Sequence, residues 1–562
     1  MPAHSSFSRH LRVVRDEMLP SGCWPIGYSA LVGALALEVP MPLQPHCGID
    51  RHVRRNSEDG WSLVTPRAFP DDTFAGHLTF ALKNEALDLA ILKRSFLTVG
   101  PRPVEAMVRA APSGVYARKA WFLYEWLTGE RLNLPDAAMG NYADLMAPED
   151  YVTAAPLISR RHRIRDNLPG TRDWCPVIRR TPALERNSAA SLGAMIGQLM
   201  QSSSPTLLSR AARSLVFGET RTSYEIEGER PPRDKLERWA SAILSAGREP
   251  LSAPRIEHLQ RTALAEGAVD TWGWRTRANF VGGFDREYNA APERVNAAPG
   301  DVPGLMDGLF RGLARMAEGD AVDPVVAAAA ASFGFVYIHP LEDGNGRTSR
   351  YLVHDVLAAR GFSPKGMVFP VSMQMLARID EYGAVLHGFD ERVMPATRWR
   401  HAPNGGVELL NDTGDFYRYP DLTREAEFVA DCVRATVERD FPHEIERISR
   451  LDRCLEGLSR VVDMPNARML DFIMFVQQNT TAPGKLPYKR AKSDFKQLKP
   501  EEIRAMEQVI ARTMGEVMAV NKRPEVGFSQ PQDAIGVWRP SIAQAERVHA
   551  DDEAEDSPPA PM

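Results

Sequence analysis

The sequence predicts a mainly α-helical protein: a helical core carrying a β-hairpin flap, preceded by a mixed α/β N-terminal region and followed by a helical C-terminal region. Three observations carry this. Asp323-Pro324 opens an almost unbroken apolar run to Ile338, which asks for a helix buried on every side. Residues 186–400 read as helical except at Arg275–Tyr288, where Gly282 and Gly283 separate short β-prone stretches in the manner of a hairpin. After Pro500, the residues Ile503, Met506, Val509, Ile510 and Met514 fall on one helical face.

Taken in order, residues 1–185 mix short β-like stretches, Trp61–Thr65 and His77–Leu82, with helical ones such as Ala117–Leu127; no role is assigned to this region. Its end, 159–180, is arginine-rich (Arg160, Arg161, Arg163, Arg165, Arg172, Arg179, Arg180). A solvated or inter-domain face is the favoured reading there, with a nucleic-acid contact as the alternative. Residues 186–400 form the core. Residues 401–420, rich in Gly, Asn, Asp and Pro, read as a linker; helices return over 421–520. The acidic, proline-rich tail at 540–562 reads as disordered.

Bulk properties narrow the function. A chain of 562 residues holds about two to four domains. The net charge of -5 gives no overall basic field for nucleic acid or anionic membrane. Five cysteines, an odd number without a C-x-x-C pair, argue against a disulfide framework or structural zinc and for a reducing, cytoplasmic setting. The apolar stretch Ser29–Val39 follows acidic residues and lacks a cleavage pattern, so no signal peptide is expected. No run of about 18 apolar residues occurs, so no membrane span is expected.

The chemistry is concentrated in His339-Pro-Leu-Glu-Asp343-Gly-Asn345-Gly-Arg347-Thr-Ser-Arg350. The apolar helix ends at His339-Pro340, and a second helix runs from near Asn345 to Arg360, with Gly361 as its stop. The intervening loop therefore sits at a helix N-terminus, where free N–H groups and the positive helix end favour phosphate. Gly344 and Gly346 let the backbone turn sharply and approach closely. Arg347 and Arg350 share one face and can fork onto phosphate oxygens. Asp343 is a hard oxygen ligand suited to Mg²⁺ beside phosphates. His339 titrates near neutrality and can take a proton from a hydroxyl. A plain helical turn with a surface histidine does not require so many specified positions. No Walker A pattern is present.

Upstream, Ser223 and Glu227 stand four apart in Ser223-Tyr-Glu-Ile-Glu227-Gly228, hence on one helical face; Gly228 and Pro231-Pro232 end that helix.

The first segment resembles the Fic signature, H-P-F-x-[D/E]-G-N-G-R-x-x-R, departing only at Leu341, an apolar anchor where leucine alters packing more than chemistry. The Gly-Asn-Gly-Arg core resembles the AMP-transferring branch. The resemblance implies a protein adenylyltransferase that moves AMP from ATP to a Tyr, Thr or Ser hydroxyl of a target protein, itself included. It implies His339 as general base, Asp343 as Mg²⁺ ligand and Arg350 as γ-phosphate contact. Gly344, Asn345, Gly346 and Arg347 would hold the α/β-phosphates, with Thr348 and Ser349 in the same nucleotide-binding turn. Tyr382 matches a tyrosine near the nucleotide base; Asp390 stands where relatives often carry asparagine, and no adenine contact is assigned to it. Ser223, Glu227 and Gly228 resemble the family's inhibitory motif, [S/T]-x-x-x-E-[G/N], on a helix near 214–228, so that Glu227 would pair with Arg350 and hold the enzyme off. Arg275–Gly282 resembles the start of the family's flap, which pairs with a target strand. A homodimer burying the inhibitory helix is a family-level expectation. Two other readings compete: a phosphodiesterase that removes AMP from a modified protein, and a DNA-binding regulator with a vestigial core. The donor base, with UTP and CDP-choline as alternatives, is not encoded in a loop that reads phosphates.

Overall fold

The computed structural model describes residues 6–50, 57–364, 366–403, 405–477 and 495–514; the tail expected to be disordered lies outside them. In the N-terminal region the strand expected at Trp61–Thr65 forms as Trp61–Val64, in a four-stranded sheet. The stretch His77–Leu82 is not a strand but part of the helix Phe74–Asn84. Thr73 caps it by accepting from the Gly76 N–H, and His77, Leu78, Phe80 and Ala81 supply the buried face at helical spacing. Ala117–Leu127 lies inside the helix Val115–Thr128. The apolar stretch near residue 30 is the buried helix Tyr28–Ala34.

The core begins with α1 (Pro205–Glu225), capped by Ser204 with proline in its first turn. It continues through α2 (Ala253–Ala263) and a hairpin of β1 (Phe280–Phe284) and β2 (Ala290–Val295). The hairpin differs from the expected one in detail. Gly282 and Gly283 lie within β1, beside a register shift between Val281 and Gly282. The turn is Asp285–Asn289, where the Asp285 carboxylate accepts from the N–H groups of Glu287 and Asn289. Gly282 has φ +138, and a Cβ there would stand 2.5 Å from the Ala291 carbonyl oxygen, so the bulge needs glycine.

Then come α3 (Pro324–Ile338) and α4 (Asn345–Ala359). Asp323 caps α3 by accepting from the Val325 N–H, and Val325 to Ile338 are all buried. Next are α5 (Ile379–Val393) and α6 (Thr423–Ala435). The segment 401–420 is not a bare linker. Strands Trp399–His401 and Val407–Leu409 pair across a turn containing Gly405, followed by helix Gly414–Arg418. The Tyr417 hydroxyl donates to the Val295 carbonyl at 2.6 Å, tying this segment to the flap. Its polar, glycine-rich composition marks a turn rather than a connector. Beyond it, α6 packs in the same core as α3. The helices Phe441–Ser459, Asn466–Gln477 and Pro500–Met514 enclose a small second core around Leu458, Phe472, Met506 and Ile510. Among the described residues no helix is long and apolar enough to cross a membrane.

Candidate active site

The site is a loop between two buried helices. His339 ends α3 in the left-handed region, φ 54, a conformation that costs a histidine energy and is retained where surroundings over-determine it. The loop's surroundings do so. Arg275 donates from its backbone N–H to the Pro340 carbonyl at 2.8 Å and from Nε to the His339 carbonyl at 2.7 Å. Gln260 on α2 donates to the Asp343 carbonyl at 3.1 Å. The Glu342 carboxylate accepts from the Asp270 and Thr271 N–H groups.

Asn345 has a different place from the one expected of a phosphate ligand. Its side chain donates to the Leu341 carbonyl and accepts from the Leu341 N–H, both at 2.9 Å. The amide is fully buried and committed to closing the loop from beneath. Thr348 and Ser349 are also buried in α4, and Ser349 donates to the Gly346 carbonyl. The three side chains shape the turn, while Gly344, with φ +91, sits at its N-cap.

His339 is buried, and its Nδ1 lies 3.2 Å from the Val336 carbonyl. With Nδ1 protonated and donating, the lone pair is on Nε2. Burial, then the nearby Arg294 and Arg275 guanidinium groups, hold its pKa well below the usual imidazole range. The neutral, proton-accepting form is therefore the resting one at neutral pH.

Arg350 is buried and meets an acid from another element. Its Nη2 lies 2.6 Å from Glu227 Oε1 and 2.7 Å from the Ser223 carbonyl, and Nε donates to the Ser223 hydroxyl at 3.3 Å. Burial opposes the guanidinium charge, but Glu227 and Tyr382 outweigh it and raise the pKa. Glu227 is not inside the helix: α1 ends at Glu225, and Glu227 belongs to the turn that closes it. The Gly228 N–H donates to the Glu225 carbonyl and the Glu229 N–H to the Tyr224 carbonyl, with Gly228 at φ +72, the hydrogen-bond pair of a Schellman cap. The cap aims Glu227 at the loop: a Cβ on Gly346 would fall 2.2 Å from Glu227 Oε1.

Arg347 also carries an acid that sequence reading missed. Its Nη1 lies 3.0 Å from both carboxylate oxygens of Glu229, and its Nη2 lies 3.4 Å from Asp343. The only signal for Glu229 in the sequence was an acid just after the helix-ending glycine. Gln260, Arg275 and Arg294 were missed too, because they reach the loop from distant positions. Asp343 keeps a partly exposed carboxylate at the loop rim, 21% accessible, a hard oxygen donor that fits a divalent cation shared with phosphate.

A cavity of about 490 Å³ opens beside the loop. Its lining includes Gly346, Arg350 and Glu227, the neighbouring Glu293, His387 and Asp390, and the apolar Val281, Val336, Ile379 and Leu386. Tyr382 lines it beside Arg350. Asp390 is held by Arg294 at 2.5 Å. His339 is not among the lining residues described. It stands one turn along α3 from Val336, which does line the cavity.

Residues 250–357 match the family model described as "Fic/DOC family". An 83-residue stretch is 37% identical to Protein adenylyltransferase Fic of Culex quinquefasciatus and covers 15% of this chain and 16% of that protein. The Drosophila ananassae protein of the same name is 39% identical over 83 residues. The chain thus spans about a sixth of the length of the curated relatives it matches. A Fic family protein from Desulfovibrio desulfuricans aligns with 21% identity and a TM-score of 0.34, over 50% of this chain and 80% of that one. The signature loop, the two helices that hold it and the matching family model converge: the chain carries a Fic/DOC-family domain over residues 250–357.

Proposed function

We propose that this domain is a protein adenylyltransferase held inactive by its own α1 cap. The observation that carries the reading is the Glu227–Arg350 contact at 2.6 Å, made by an acid from outside the 339–350 segment on the arginine a phosphate needs. The matched relatives are named protein adenylyltransferases, and that chemistry suits these residues.

ATP enters the cavity with its phosphates toward Gly344–Arg350. Loop N–H groups at the start of α4 and Arg347 take the inner phosphates, and Arg350 takes the γ-phosphate. Asp343 would hold Mg²⁺, which neutralises phosphate charge when bound. A target hydroxyl, presented along the flap edge, loses its proton to His339 Nε2 and attacks the α-phosphorus in line. The new O–P bond forms as the bond to the leaving pyrophosphate breaks. Catalysis is positioning plus charge stabilisation. With Glu227 on Arg350, the γ-phosphate lacks its partner and the α-phosphorus is out of line.

Wild type, Glu227→Gly and Glu227→Gly/His339→Ala, incubated with Mg²⁺ and ATP labelled at the α-phosphate, test the reading. Strong labelling of protein in Glu227→Gly, weak labelling in wild type and none in the double variant support it. Label from another nucleotide only would change the donor. Absence of label with release of AMP from a modified protein would favour the phosphodiesterase reading.

A further inference from the structure

Both arginines of the loop carry an acid from the same cap, but the acids differ. Glu227 is nearly buried, with 8% of its side chain accessible. Glu229 is 37% accessible. Glu229 also stands between two cations: Arg347 Nη1 at 3.0 Å and Lys235 Nζ at 3.4 Å. Lys235 sits in the first turn of the helix Arg233–Leu244, which the chain enters directly after the cap. The ring of Tyr224 lies under both cations, 5.2 Å from the Arg347 guanidinium carbon and 5.1 Å from the Lys235 ammonium. The Tyr224 hydroxyl donates to the Ala263 carbonyl at 2.9 Å, which fixes the ring. Arg347 itself is 1% accessible, and its Nε has no hydrogen-bond partner among the described residues.

We infer that Glu229 is a second, outer inhibitory carboxylate: it occupies Arg347 in the resting state, and an incoming phosphate displaces it onto Lys235. The inference rests on the nucleotide-binding part of the function proposed above and adds a residue to its regulation. A carboxylate and a phosphate compete for the same guanidinium face, since both accept the same N–H donors. A displaced buried acid without a partner would hold the lock closed by its desolvation cost. Glu229 escapes that cost because it is part-exposed and has Lys235 within reach. Tyr224 keeps both cations in place while the acid moves from one to the other. The cap therefore carries two locks of different strength: Glu227 on Arg350, buried and hard to displace, and Glu229 on Arg347, exposed and easy to displace.

The test measures affinity for MgATP and for inorganic tripolyphosphate by calorimetry. It uses the full chain with Glu227→Gly as background, so that the inner lock is open. Adding Glu229→Gln is expected to tighten MgATP binding about fivefold, the size of one part-exposed ion pair. Adding Lys235→Met instead is expected to weaken it by about twofold, because Glu229 then has only Arg347. A purely structural role for either residue would not give opposite signs. If the glutamine variant loses its melting transition, Glu229→Ala takes its place. Unchanged or weaker MgATP binding on removing the Glu229 charge overturns the inference and leaves the transferase reading standing. If the background protein binds tripolyphosphate but not MgATP, the transferase reading fails, and tighter tripolyphosphate binding in the Glu229 variant still supports the lock. If no variant binds either polyphosphate, both fail.

Discussion

The protein has two arginine-rich places, and they use the same side chain in opposite ways. In residues 159–180, Arg161, Arg165 and Arg180 are tied to acids of their own region. Arg161 forks onto Glu125 at 2.8 Å, reaches Asp136 at 2.8 Å and lies 4.7 Å above the ring of Trp121. Arg165 pairs with Asp144 and Arg180 with Glu185. Arg161 and Arg165 join strands and turns through these pairs. In the loop, Arg347 and Arg350 pair with acids delivered by a helix cap at a helix N-terminus, and Arg350 with its Glu227 also lines a cavity. Under the proposed function the acid is displaceable, which makes the arginine a ligand site. A fixed acid on the same local fold makes it a staple.

The largest effect expected from this contrast is an Arg→Ala exchange in the two places. In a Glu227→Gly background, Arg350→Ala should lower kcat/KM for AMP transfer by roughly 10²–10³, with the melting temperature held within a few degrees. Arg161→Ala should do the reverse: transfer per folded molecule unchanged, and stability lower by about 2 kcal/mol, because Glu125 loses its guanidinium partner and keeps only Trp121 Nε1, the Leu132 N–H and His162. Equal losses of activity in both variants would break the contrast.

Next in size is release of the lock. Glu227→Gly should raise transfer by about 10²-fold, within the range of coupling energies between two sites. Gly346→Ala should not imitate it, although its Cβ would displace Glu227, because that methyl group also fills the place a phosphate takes over the loop. A Gly346→Ala enzyme as active as Glu227→Gly would show that phosphate does not approach that backbone.

A smaller effect is expected in the pH profile of the unlocked enzyme. His339 is held below the usual imidazole range by burial and by Arg294 and Arg275. Its neutral form then persists as pH falls, so the acid limb of kcat/KM should lie below about 6.5, the ordinary histidine value. The stability sign agrees: a histidine whose folded pKa is depressed favours the native state above the unfolded pKa, and that contribution is lost as pH falls below it. An acid limb at or above the ordinary value would argue that another group is the base.

Much of this site was legible because its residues are consecutive. The buried run of α3, the stop at His339-Pro340 and the glycines of the loop are local features, and local sequence carries them. The Glu227–Arg350 contact was legible only through the resemblance, since nothing local brings residues 227 and 350 together. Glu229, Gln260 and Arg275 were illegible for that reason: each reaches the loop across the fold. The errors elsewhere have physical sources as well. In 77–82, apolar residues at helical spacing also alternate over a short window, which imitates a strand. In 401–420, the turn residues that close a hairpin share their composition with a connector. Asn345 carried a residue type suited to phosphate, but burial committed its amide to the Leu341 backbone.

The smallest effect expected sharpens the contrast within the staple region itself. If fixed, local acids make these arginines structural, each should contribute according to how far water is excluded from its pair. Arg165 and Asp144 are 36% and 31% accessible, whereas Arg161 and Glu125 are each 14% accessible. A part-exposed pair gains little, because water screens the attraction and ordering two side chains offsets it. Arg165→Ala should therefore cost under about 1 kcal/mol, read as a shift in urea midpoint with unchanged slope. The shift should shrink further in high salt, while the Arg161→Ala effect persists there. Should Arg165→Ala instead cost as much as Arg161→Ala, burial would not be what grades these arginines. Salt-sensitive binding of duplex DNA that disappears in Arg165→Ala would return part of 159–180 to the class of displaceable sites.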